Sequence, residues 1–431
     1  MIPTSEFKVV GKREVRKDSL PKATGAARYA ADIKMPGMLC GKALRSEYPH
    51  AKILSIDTDA AQAMPGVHAV LTAKDIPGIN KFGLAIADQE VLASKKVRMM
   101  GDAVALVAAE TLEQCEAALR QIKVAYQELP GVFSIEDGIK EGAPLVHEDV
   151  PGNLLQHTMV RKGDVSAAWA DCAYIVENDY TTQRVEHAYI EPEVAVAYID
   201  TMGVMNVLNS TQYTFRDRRQ IAPVIDMPHN MVRVQQQTTG GGFGGKDDIT
   251  CEIQAALLAL KTGRPVKVVW TRSESMACST KRHPMKIHVK TGCDKNGKLL
   301  AMEGTVSSDK GAYCSIGHFI TKKAGLHLAG PYYIPNICVD TYSIYTNNTI
   351  SGPYRGFGIL QSAFAHESQM DQLADLVGMD PLEFRLLNCL KHGLSTATGQ
   401  VFTQGVGFED TLLAMKEYMG ETDLYGEEGD Q

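Results

Sequence analysis

Residues 238–248 read TTGGGFGGKDD, so five glycines and one phenylalanine fill six consecutive positions ahead of a lysine and two aspartates. Glycine takes positive φ without steric cost and lets its amide come close to another group. Five in six positions therefore prescribe a backbone surface rather than a simple turn. The flanks predict what carries it. MVRVQQQ (231–237) reads as a strand closing in polar residues, and DITCEIQAALLALKTG (248–263) as an amphipathic helix with Ile249, Ile253, Ala256, Leu257 and Leu260 on one face. A strand–loop–helix unit aims free N–H groups and the positive end of the helix dipole at the loop, which favours an anion or an electronegative oxygen.

Two phosphate patterns overlie this stretch imperfectly. A Walker-type loop runs from Gly240 to Lys246, but Asp247 stands where a hydroxyl should hold magnesium, and a carboxylate there repels a triphosphate. A dinucleotide pattern matches Gly240, Gly242 and Gly245 without a clear acidic partner about 20 residues on. A nucleotide-binding protein using the 240–246 loop thus stays open as an alternative.

Other function classes are bounded by composition. With 431 residues, 44% apolar and 22% charged, the chain has material for two or three domains. A net charge of −7 with scattered basic residues argues against a nucleic-acid surface. No apolar run approaches the ~18 residues of a membrane span, and the N-terminus lacks a hydrophobic signal core, so the chain reads as cytoplasmic. Nine cysteines fall singly with no C-x-x-C pair, which suits reduced thiols and offers no iron–sulfur or structural zinc site. His283 and His288 fall on opposite faces of a strand-like segment, a poor arrangement for a shared metal.

Along the chain, a basic arm (1–19) precedes a compact α/β unit (20–130). There AKILSIDTDAAQAMPGVHAVLT and GDAVALVAAETLEQCEAALRQIKVAYQELP each read strand, helix, strand. Residues 131–154 form a Pro-, Gly- and acid-rich linker or surface wrap. A larger α+β domain (155–420) starts with strands, passes through the glycine loop, and reaches a second glycine-bearing loop, SGPYRGFG, that leads into a helix. Asp380-Pro381 caps the next one, and an acidic tail (421–431) follows.

The paired loops GGGFGGK and PYRGFG, in this order, together with YPHAKILSIDTDAAQAMPGVHAVLTAKDIPG, GDAVALVAAET, EHAYIEPE and MDPLEFRLLN, resemble the molybdopterin-binding subunits of the xanthine dehydrogenase and aldehyde oxidase family of molybdenum hydroxylases. The likeness covers nearly the whole chain. It implies an α+β fold, with an α/β hammerhead domain followed by the first half of a molybdopterin-binding region. Single-chain members continue for roughly as long again, so the sequence looks like the first half of a split subunit, similar to the large molybdopterin subunit of bacterial nicotinate dehydrogenases. The implied reaction is oxidative hydroxylation of an N-heterocycle, nicotinate- or purine-like, or of an aldehyde, with water as oxygen donor. The implied cofactor is molybdenum–molybdopterin, in a mononucleotide or cytosine dinucleotide form. Implied partners are a second molybdopterin subunit, an iron–sulfur subunit and an FAD subunit, and a non-catalytic relic of the same fold is a further alternative.

The resemblance also assigns residues. Gly241, Gly242, Phe243, Gly244 and Gly245 match the cofactor loop, with the Phe243 and Gly244 amides facing the pterin and the oxygen ligands of the metal, which takes no side-chain ligand from this chain. Gln212 in NSTQ matches a glutamine that hydrogen-bonds an oxygen on the metal, a catalytic and cofactor-binding role suited to a neutral donor. Arg355 belongs to the second cofactor loop, and Phe357 would stack on a flat substrate. Asp247 and Lys323 fall where xanthine-oxidising members carry a glutamate and an arginine. A shorter acid and a single-point cation do not reproduce that pair, whereas a lysine would suit a carboxylated ring. The base glutamate is implied to stand on another subunit, so Glu186, Glu191 and Glu193 receive no such role.

Overall fold

The stretch AVALVAA (Ala103–Ala109) has no polar face, and such a run forms a strand covered on both sides. In the computed structural model, which describes residues 7–421, Val104 to Ala109 are all fully buried in a seven-stranded sheet. From edge to edge its strands are Val232–Gln236, Met205–Asn209, Val194–Ile199, Val266–Val269, Leu39–Arg45, Ala103–Ala109 and Val67–Thr72. Leu39 pairs in parallel with Val266, so the sheet runs without a break from the 20–130 segment into residues 194–269. A three-stranded sheet (Lys96–Val97, Ala51–Asp57, Lys123–Glu128) completes the first part of the chain.

A five-stranded sheet carries the second core, in the order Leu154–Lys162, Asn336–Tyr345, Leu299–Gly311, Met285–Cys293 and Tyr174–Thr182. The helix Ile359–Val377 packs on its Tyr174–Thr182 edge through Ala365, Met370, Leu373 and Ala374. The expected cap forms: Asp380 accepts from the N–H groups of Leu382 and Glu383, with Pro381 in the first turn. Segment 135–153 packs closely, burying Val146, His147 and Asn153, with His147 Nε2 2.7 Å from the Ala312 carbonyl oxygen. All nine cysteines are free. Of the expected acidic tail, 422–431 lie outside the described residues. No helix among the described residues is long and apolar enough to cross a membrane.

Two sequence expectations are corrected around the glycine loop. Its helix begins at Glu252, so Ile249 precedes it and residues 246–251 separate the loop from the helix terminus. The carboxylate of Glu252 at that terminus is paired within the protein, accepting from the Thr250 N–H at 2.7 Å and from Asn209 Nδ2 at 2.9 Å. The helix is not amphipathic either: every residue from Glu252 to Ala259 is buried, since it packs against the seven-stranded sheet on one side and the helix Thr214–Val224 on another. A helix covered all round has no polar stripe to show.

Candidate functional site

Met205–Asn209 and Val232–Gln236 run parallel and end in register, Asn209 opposite Gln236. The chain segments leaving them, 210–213 and 237–245, therefore emerge side by side at the carboxyl edge of the sheet, the usual place for a ligand crevice. The Gln237 N–H bonds the Asn209 carbonyl at 2.8 Å, the Gln212 N–H bonds the Lys246 carbonyl at 2.9 Å, and Gln212 Oε1 accepts from the Gly244 N–H at 2.9 Å. Sheet register thus brings Gln212 and the glycine loop together.

The glycines are needed chiefly for contacts within the protein. A Cβ on Gly242 would stand 2.5 Å from Gln212 Oε1, one on Gly245 2.6 Å from the Tyr189 ring, and one on Gly244 2.8 Å from the Pro353 carbonyl. Gly241 and Gly244 both take φ of 102°, and even Phe243 lies at 50°. This winding leaves the N–H groups of Gly241, Gly242 and Phe243 without a hydrogen-bond partner among the described residues. Three successive unpaired amides on a backbone with positive φ are donors that electronegative atoms can satisfy. Phe243 is half exposed. The Gly244 amide, expected to face a cofactor, is instead taken by Gln212. That leaves the Gln212 Nε2 group, on an exposed side chain, as the outward donor.

The second loop locks onto the first through the Arg355 N–H, which bonds the Phe243 carbonyl at 2.8 Å. His187 Nε2 lies 2.6 Å from the Pro353 carbonyl oxygen and packs beneath both loops with Tyr189. Arg355 is exposed, and Phe357, at φ 51°, is half-buried against the second core. The Lys323 ammonium, on the helix Gly317–Leu326, stands 5.5 Å from the centre of the Phe357 ring, so two expected substrate residues do meet.

The charged residues next to the loop are paired inward. Buried Lys246 bonds Glu191 Oε2 at 2.8 Å, and the same oxygen accepts from the Gly240 N–H at 2.7 Å. A Walker lysine must reach a phosphate, and this one is spent on a carboxylate, which speaks against the nucleotide reading. Asp247, expected to meet substrate, is buried and bonded to Arg216 Nη1 at 2.9 Å. Burial, and then the neighbouring Asp248, push its carboxyl up to about 6 in spite of that guanidinium. Glu186 pairs with Lys281 at 2.6 Å, and Glu193, raised by burial, accepts the Tyr189 hydroxyl. Sequence reading left His187, Tyr189, Glu191 and Arg216 without a role; EHAYIEPE enters there only through the resemblance, and no spacing rule links Glu191 to Lys246.

Comparison with known proteins identifies the family. Residues 24–130 match the family model described as the a/b hammerhead domain of aldehyde oxidase and xanthine dehydrogenase, and residues 146–389 that of the molybdopterin cofactor-binding domain. The chain is 44% identical over 412 residues to the nicotinate dehydrogenase large molybdopterin subunit of Eubacterium barkeri, covering 96% of each. It is 34% identical over 395 residues to the xanthine dehydrogenase molybdenum-binding subunit of Escherichia coli O157:H7, covering 88% of this chain and 52% of that one. The solved aldehyde oxidoreductase of Desulfovibrio gigas superposes with a TM-score of 0.92 at 32% identity, over 95% of this chain and 46% of that one. The chain therefore spans almost all of one relative and about half of the other two, and it belongs to the aldehyde oxidase and xanthine dehydrogenase family as a molybdopterin-binding subunit of a molybdenum-dependent oxidoreductase.

Proposed function

We propose that this chain forms one side of the molybdenum–pterin site of a heteromeric cytoplasmic hydroxylase that oxidises an N-heterocycle, with a nicotinate-like ring ahead of a purine or an aldehyde. The observation that carries the reading is the unpaired amide run 241–243 beside the outward Gln212 carboxamide, a set of neutral donors fitted to the electronegative atoms of such a cofactor. The free thiols support a reducing compartment, and the near-full overlap with a nicotinate dehydrogenase subunit supports both the ring and the division of the site between chains. The base glutamate, the iron–sulfur clusters and FAD belong, in this reading, to partner subunits. The cytosine dinucleotide form of the pterin is part of the same proposal.

When bound, the cofactor supplies the two-electron oxidation that adds an oxygen from water to an electron-poor carbon. The chain's own share is binding and orientation. The amides of Gly241, Gly242 and Phe243 would receive the cofactor, Gln212 would donate from Nε2 while Gly244 fixes its orientation, and the Arg355–Phe243 bond would hold the two loops at one separation. Phe357 and Lys323 offer a ring face and a cation to the substrate.

Elemental analysis of the tagged chain, purified gently with whatever accompanies it, tests the assignment. Molybdenum and iron together with a second, smaller chain are expected, and a clean complex lacking molybdenum would overturn the reading. Within that complex Gln212→Ala should keep assembly and metal and lower kcat by at least about tenfold, the loss of a charge-positioning donor. An unchanged kcat removes Gln212 from the site.

A further inference from the structure

Resting on that functional reading, we propose that Arg216 is the specificity-determining residue for a carboxylate on a flat ring substrate, with Asp247 as its positioning residue. Arg216 is fixed at two points. Its guanidinium carbon sits 3.9 Å above the ring of Tyr213, and Nη1 bonds Asp247 Oδ1 at 2.9 Å. A guanidinium carries five N–H donors in one plane, and no other hydrogen bond to this side chain is made by the described residues. The Nε–Nη2 edge is thus left unpaired among the described residues, on a side chain about a third exposed, a fork of the shape that accepts a carboxylate through two parallel bonds.

Its position ties it to the loop. Tyr213 follows Gln212 directly, Gln212 accepts from the Gly244 N–H, and the Asp247 N–H bonds the Gly244 carbonyl at 3.1 Å. Phe243, on the loop itself, is exposed at 51%, whereas one face of the Tyr213 ring carries the Arg216 guanidinium and the Phe215 ring has that of Arg218 at 5.2 Å. A planar anionic ring is the ligand that uses both an exposed ring face and a guanidinium edge. Lys323 is the weaker candidate for that anion: it is a point charge on a flexible stem, set over a ring that is half-buried in the core. In this arrangement Asp247 acts through Arg216 and does not touch substrate, which revises what its place in the sequence suggests.

The test is equilibrium binding of benzoate and benzamide to the purified complex. The two have nearly the same shape and differ in charge, and neither offers an electron-poor ring carbon for oxidation. Arg216→Gln should weaken benzoate by about tenfold or more while leaving benzamide within about twofold, the scale of a charge-assisted bidentate contact. Arg216→Lys should fall between, and Asp247→Asn should produce a smaller, equally selective loss. Equal weakening of both rings, or unchanged benzoate, would overturn the assignment. So would loss of molybdenum from Arg216→Gln, since the guanidinium would then serve the phosphate of the cofactor. A wild-type complex that holds molybdenum but binds neither ring would sink this inference alone, whereas one without molybdenum would sink the functional reading beneath it.

Discussion

The loop at 240–245 and the loop at 352–358 meet through one backbone hydrogen bond, and they reach it by different means. The first is separated from its helix by residues 246–251, carries five glycines, and keeps three amides unpaired. The second carries Gly352, Gly356 and Gly358 and runs directly into the helix Ile359–Val377, with Gly358 in the N-cap position at φ 93°. The loop that sequence reading set directly on a helix terminus is separated from it by six residues, while its neighbour has a helix terminus beside it. Glycine density reports how closely a backbone must approach its surroundings, and it does not report what stands behind the loop.

This contrast can be broken most severely from beneath the first loop. Glu191→Ala leaves Lys246 buried and unpaired and frees the Gly240 amide, and removing one partner of a buried pair costs on the order of 3–5 kcal/mol. Urea unfolding of the assembled protein checks it, and a loss below about 1 kcal/mol would show that Lys246 finds another partner.

The glycines sharpen the comparison at the next level. Gly244→Ala sets a Cβ 2.8 Å from the Pro353 carbonyl, where backbone must move, whereas a Cβ on Gly356 meets the flexible Leu360 side chain at 2.5 Å. Both positions have φ near 100°, so each carries a strain of about 1–3 kcal/mol, and the excess at Gly244 isolates loop-to-loop packing. Thermal unfolding of the two variants should rank Gly244→Ala as the less stable and the one that loses molybdenum.

Asp247 gives a pH signature. Its folded carboxyl, held up at about 6, binds a proton more tightly than in the unfolded chain, where the ordinary value is ~3.9. Between those values the folded state carries more protons, so its contribution to stability is greatest in acid and falls as pH rises from about 4 to 6, by on the order of 3 kcal/mol in all. Asp247→Asn should flatten that part of the stability–pH curve, and an identical slope in both proteins would show that Asp247 titrates normally. The smallest effect is expected at the second loop. Phe357→Leu should retain the metal and raise the KM of a ring substrate about fivefold, the ~1 kcal/mol of an aromatic contact.

Much of the fold was legible in the sequence because its signals are local. AKILSIDTDAAQAMPGVHAVLT forms the anticipated strand, helix and strand at Ala51–Asp57, Asp59–Gln62 and Val67–Thr72, and the Asp380-Pro381 cap forms as written. The helix after the glycine loop misled because periodicity assumes one solvent-facing side, and its first two turns, Glu252 to Ala259, have none. The partners of Lys246 and Asp247 were illegible for another reason: Glu191 and Arg216 lie 55 and 31 residues away, and nothing in either stretch marks one as the other's counter-ion.

The sequence by itself determined the family, the order of the elements and the two loops, because turn residues, caps and hydrophobic alternation act within a few residues of one another. Tertiary structure alone decided which charges face inward and which donors stay unpaired. That outcome depends on the in-register ending of two parallel strands at Asn209 and Gln236, which sets Gln212 against Gly244 and Arg216 against Asp247. Pairing energies depend on distance and burial, and neither exists until the sheet has formed.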